Sequence, residues 1–220
     1  QPAPADIHRL QARHADHFRD RLHPADGARM SVTGAAVVQR KELVHLRTAV
    51  EHLRRIGPVE AEVALTLVLA HHLSLMGRLK EAEDALSGAL PHSMSDRVKV
   101  RLLLQRQDVR YARGRDAECT EDTQQALALA QAIQDLWGVA RALHAMSFRA
   151  MLDGRMAEAQ KLGMTGMEAA TAVGDRALET FFMDTLAYIA AGSGDFVQAL
   201  DLARESLARS LADGDLSVSA

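Results

Sequence analysis

The side chains best able to do chemistry in this chain are ten histidines, one cysteine and a few paired carboxylates. His14-Ala-Asp-His17 has the i, i+3 spacing of two ligands on one helix face. His71 and His72 are adjacent, so on a helix they point about 100° apart. A metal centre needs a third ligand, and neither H-E-x-x-H nor a cysteine cluster supplies one. These histidines therefore read as helix-surface residues, and no metal or cofactor is expected. Cys119 cannot form an internal disulfide alone. There is no G-x-S-x-G and no P-loop, and Gly192-Ser-Gly-Asp195 reads as a turn rather than a phosphate cradle. The pairs Glu81/Glu83 and Glu121/Asp122 read as helix-surface charges with no partner for acid–base work. Arg97, Lys99, Arg101, Arg106, Arg110, Arg113 and Arg115 make one stretch basic, but Asp116, Glu118, Glu121 and Asp122 follow at once. With a net charge of −3, that pattern predicts a solvated, locally paired surface and no direct nucleic-acid binding. No enzymatic activity is expected of these residues.

The elements that carry them repeat. Gly77-Arg-Leu-Lys-Glu-Ala82, Gly114-Arg-Asp-Ala-Glu-Cys119, Gly154-Arg-Met-Ala-Glu-Ala159 and Gly194-Asp-Phe-Val-Gln-Ala199 align with spacings of 37, 40 and 40 residues. Asp96, Asp135, Asp175 and Asp215 recur at 39, 40 and 40, each ahead of an apolar-periodic stretch that it could cap. Two independent landmarks share one period, which predicts helix–turn–helix units. Helix A ends at the glycine, which permits a tight turn, and helix B follows with a small residue near its start. The expected pairs are 60–76/79–90, 96–113/116–133, 136–153/156–173 and 176–192/195–212. Such units cannot bury their apolar stripes alone and must stack. Cys119 stands where the other units have Ala and reads as a buried small residue. Gly163 and Gly166 are expected to loosen the third helix B.

This pattern resembles the tetratricopeptide repeat, whose period is about 34 residues. The match is Ala70, Ala82, Leu86 and Ala89 around Gly77, and Ala187, Ala199, Ala203 and Ser206 around Gly194. The extra residues are assigned to loops. The resemblance implies an all-α fold, a right-handed α–α superhelix of helical repeats with a period of 37–40. Residues 59–213 would form four repeats and 214–220 the start of a truncated fifth. Residues 1–58 would form an N-terminal helical cap: a helix over 5–22, a loop over 23–34 and a helix over 36–56. With 48% apolar and only 4% aromatic residues, the composition fits closely packed helices better than a sandwich. No apolar run spans a membrane and no secretory signal is visible, so a cytoplasmic location is expected.

A narrower resemblance covers residues 8–90. Ala12-Arg-His-Ala-Asp-His-Phe18, a loop, then Glu42-Leu43, Leu46-Arg47 and Ala49, then Gly77-Arg-Leu-Lys-Glu-Ala82, is similar to a region of large bacterial transcriptional regulators. These are the signal-transduction ATPases of the MalT-like, LuxR-type and antibiotic-regulatory (SARP) families. In them the region is a tetratricopeptide-like sensor or interaction domain. The chain has Val44-His45 where that family often has an Asp-Asn-like pair.

The tetratricopeptide register also implies an inner, concave surface lined by A helices. It would present His71, Arg101, Asp108, Tyr111, Arg141, His144, Phe148, Phe181, Asp184 and Tyr188. The arginines could clamp a carboxylate, and the aromatics could anchor an apolar side chain or a sugar face. The expected function is non-catalytic: binding of a protein, a peptide or a small-molecule inducer, coupled to docking on the ATPase and DNA-binding domains of a larger regulator. A free-standing scaffold that binds peptide segments is the alternative. An exposed repeat end would also allow homo-oligomers.

Overall fold

The computed structural model describes residues 40–93 and 95–213. The expected N-terminal helix and loop, with His14 and His17, lie outside the described residues, as do 36–39 and the start of a fifth repeat at 214–220. The described residues contain α1 (Arg40–Ile56), α2 (Val59–Leu75), α3 (Leu79–Ala89), a single 3-10 turn (Leu90–His92) and α4 (Asp96–Ala112). They continue as α5 (Asp116–Ala132), α6 (Leu136–Leu152), α7 (Met156–Val173), α8 (Arg176–Gly192) and α9 (Phe196–Asp213). Among the described residues no strand occurs, and no helix is long and apolar enough to cross a membrane.

Each A helix closes in the way its glycine predicts. Gly77 has φ 70°; its N–H bonds the Ser74 carbonyl at 2.9 Å and the next N–H, of Arg78, reaches back to Leu73 at 2.8 Å. A side chain at this φ would crowd the backbone, so glycine fits where the chain must reverse within two residues. The same bond pair recurs at 114/115, 154/155 and 194/195. Asp175 caps α8, its Oδ1 accepting from Leu178 N at 2.9 Å, and its Oδ2 accepts from Trp137 Nε1 of α6 at 3.0 Å. Asp96 differs from expectation. Ser95 takes the N-cap position, and Asp96 lies inside the first turn of α4, where Lys99 Nζ donates to it at 3.1 Å.

The chain divides into two compact units, with the division between Gln125 and Ala126. In the first, α1 packs on α2, α2 on α3, and α4 on both α2 and α3. Its core joins Leu43, Leu46 and Leu53 of α1 to Leu65, Leu69 and Leu73 of α2, Leu86 of α3 and Leu102 of α4. In the second unit α6 pairs with α7 and α8 with α9, while α8 also packs on α7 and α6.

Gly163 and Gly166 do not loosen α7, which runs unbroken from Met156 to Val173. They let its neighbours approach. A Cβ on Gly166 would lie 2.3 Å from Phe182 Cζ and 3.1 Å from Leu143 Cβ, and one on Gly163 would lie 2.9 Å from Leu186 Cδ2. The fully buried Phe182 ring of α8 fills the space that the missing side chain leaves.

Candidate functional site

In the first unit the expected A-helix residues lie on α2 and α4, which are tied together by Gln105 Nε2 donating to the Leu67 carbonyl at 2.8 Å. His71 and Arg101 are half-buried, whereas Asp108 and Tyr111 are exposed. The His71 ring stands edge-on to His72, with centroids 5.7 Å apart. His72 is buried, so only one of the pair faces outward.

In the second unit the corresponding residues lie on α6 and α8. His144 is enclosed: its Nε2 is 3.1 Å from Thr185 Oγ1, and its ring packs 5.1 Å from Phe182 and 5.9 Å from Phe181. Arg141, Phe148 and Phe181 are half-buried. Tyr188 is 70% exposed, an unusual placement for so large an aromatic ring. Asp184 turns toward α9, where Ser206 Oγ donates to its Oδ1. Burial pushes the Asp184 carboxyl above its ordinary pKa, and the Ser206 bond opposes that only in part. It is therefore a group held between helices A and B of its own repeat.

Two sets of residues escape the sequence reading. The first is a set of buried carboxylates. Glu83 and Asp122 are 4% and 2% exposed, not surface charges, and only Glu121 of the second pair is exposed. They sit between α3, α4 and α5 and pair with the last four cations of the basic stretch. Arg106 grips Asp122 in a fork, Nη2 to Oδ1 at 2.6 Å and Nε to Oδ2 at 2.9 Å, and its Nη1 donates to Ser87. Arg110 bridges the two acids, reaching Glu83 Oε1 and Asp122 Oδ2 at 2.9 Å each. Arg113 and Arg115 also pair with Glu83, and Arg115 with Glu118. Burial acts to raise the Glu83 pKa, but bonds from Arg110 and Arg115 and the nearby guanidinium charges outweigh it and hold the carboxyl below its ordinary value. Such forks are strong because donors and acceptors are charged and geometrically matched. Four of the seven cations of the basic stretch, Arg106, Arg110, Arg113 and Arg115, thus form an internal tie.

The second set lines a cavity of about 470 Å³ between α7, α8 and α9. Its apolar lining includes Met164, Met167, Leu186, Ile189, Ala190 and Leu202, and Glu168 and Asp195 are among its polar lining residues. The repeat register does not signal it, because the first and third repeats are also apolar at the positions of Leu186 and Ala190. Cys119, expected to be buried, is half-buried and accepts from Gln107 Nε2 at 3.4 Å. Among the described residues, no group of histidine, cysteine and carboxylate side chains could hold a metal ion.

No family model matches this chain, and no curated protein matches it. Solved structures do. BtubC (BKLC) from P. vanneervenii aligns over 97% of this chain and 93% of its own, at 15% identity and TM-score 0.64. A single-residue variant of the nearly identical TPR-like repeats of a kinesin-light-chain-like protein from Podosopora anserina aligns over 94% and 97%, at 16% identity and TM-score 0.59. A further structure of those repeats gives 15% identity and TM-score 0.53. Likeness at this identity identifies the fold: the chain is an all-α TPR-like helical-repeat protein.

Proposed function

We propose that this chain is a non-catalytic interaction and sensing domain of a larger bacterial transcriptional regulator. The TPR-like fold supports the binding role, since folds of this type commonly bind proteins or peptides. The likeness of residues 8–90 to the MalT-like, LuxR-type and SARP regulators supports the regulatory context. The observation that carries the binding site is Tyr188, a highly exposed aromatic on α8, with half-buried Arg141, Phe148 and Phe181 on the same pair of A helices. A peptide, partner domain or small inducer would place an apolar group on the aromatics and an anionic group at Arg141. In the first unit Arg101, Asp108 and Tyr111 would play the equivalent part. Binding would favour one docked state of the parent over another.

The complete reading frame tests the context. ATPase and DNA-binding segments in the same frame support the regulator reading. A frame that encodes these repeats alone overturns it and favours a free-standing scaffold, in which the same A-helix residues hold peptide segments.

A further inference from the structure

The ionic tie and the apolar cavity occupy the same place in two different repeats. Eight and four residues before the turn glycine stand Arg106 and Arg110 in the second repeat, but Leu186 and Ala190 in the fourth. Eight residues after that glycine, Asp122 is replaced by Leu202. Six residues after the preceding turn glycine, Glu83 is replaced by Gln160. In the first unit two guanidinium groups and two carboxylates fill the groove between successive B helices. In the second unit both guanidinium side chains are gone and the groove stands open, with about 470 Å³ of space. The first and third repeats also lack these arginines, with Leu69 and Leu73 or Met146 and Ala150 in their places, so the ionic filling belongs to the second repeat.

That volume falls within the ~300–1,000 Å³ typical of small-molecule sites, which combine apolar walls with a few polar groups. Buried Ala190, half-buried Leu186 and Leu202 and the exposed residues Glu168 and Asp195 line it together, and no lysine or arginine lines the cavity. Asp195 uses Oδ1 to cap α9 through Gln198 N at 3.0 Å, which leaves its second oxygen as an acceptor. Two carboxylates beside apolar walls, with no cation among the lining residues, favour a cation over an anionic ligand of the same shape.

We propose that this groove is a binding site for a small amphiphilic organic cation. An aromatic or alkyl body lies on Leu186, Ala190 and Leu202, and an ammonium group meets Glu168 and Asp195. The site shares no residue with the A-helix surface and does not rest on the function proposed for it.

Titration calorimetry of the 220-residue chain with naphthylbutylamine tests this, with naphthylbutanol and naphthylbutyrate as neutral and anionic isosteres. The amine is expected to bind saturably and at least about tenfold more tightly than the carboxylate. Ala190→Arg restores the side chain of the second repeat and should weaken amine binding by about tenfold or more. The double variant Glu168→Gln/Asp195→Asn should bring amine and alcohol to equal affinity. Where Ala190→Arg loses its helical circular dichroism, Ala190→Leu, which fills the same space without charge, is read in its place. No saturable amine binding, equal affinity for amine and carboxylate, or binding indifferent to the filled-groove variant overturns the proposal.

Discussion

Replacing Glu83 by Gln keeps the shape and one acceptor oxygen but removes the charge that three arginines share. Glu83 is 4% exposed, and Arg110, Arg113 and Arg115 all bond it. Removing one partner of a buried ion pair costs about 3–5 kcal/mol, mostly because the other charge is left without compensation. Two features reduce the figure here. Arg110 retains Asp122, and Arg113 and Arg115, with side chains 27% and 39% exposed, can turn to water. We therefore expect a loss of about 2 kcal/mol at pH 7, or about 4–8 °C in Tm for a chain of this size. The acid dependence gives a second reading of the same bond. A carboxyl whose folded pKa is lowered contributes stability above its unfolded pKa of about 4.3, and that stability is lost as pH falls through the folded value. The gap between the parent chain and Glu83→Gln should thus be full at neutral pH, start to narrow below the unfolded pKa of about 4.3 and close as pH falls through the lowered folded value. Urea unfolding followed by far-ultraviolet circular dichroism at both pH values measures it. A variant as stable as the parent at pH 7, or a gap that persists in acid, refutes the reasoning.

Other perturbations test separate joints of the fold. Gly166→Ala puts a methyl against the buried Phe182 ring and should cost about 1–3 kcal/mol in thermal melts, with part of the loss recovered by adding Phe182→Leu. Asp184 has a raised pKa, so it stabilises the fold fully below about pH 3.9 and loses that contribution as pH rises through the folded value. Asp184→Asn should therefore be at least as stable as the parent at pH 7, and its stability should vary less across the acid range. Asp175→Ala removes both the α8 cap and the Trp137 bond, for a loss of about 1–2 kcal/mol. Trp137→Phe removes the second bond and some ring volume but keeps the cap, and a shift in Trp137 emission in Asp175→Ala reports loss of the indole bond.

The helices are legible because two period markers bracket each one. A glycine at φ near 70° and a polar residue at the next helix start leave little freedom, so α4 to α9 fall within a residue of their expected limits. Charge is harder to read. Glu83 and Asp122 look like surface acids in isolation, because the arginines that bury them come from a helix of the next repeat or from an adjoining helix. Gly163 and Gly166 look like helix breakers for the same reason: Leu186 and Phe182, which require them, lie on the following helix. Among the candidate site residues, Tyr188 and Tyr111 are exposed as their polar hydroxyls suggest. His144 and Asp184 are drawn inward by Thr185 and Ser206, partners that helix periodicity alone does not reveal.

Selection of a random peptide library on the immobilised chain tests whether the A-helix side chains bind a peptide or partner, as proposed. Selected peptides are expected to bind the parent chain and to lose about tenfold or more in affinity to Arg141→Ala and Tyr188→Ala, while both variants keep the parent's circular dichroism. Selected peptides that bind both variants as tightly as the parent chain would contradict it.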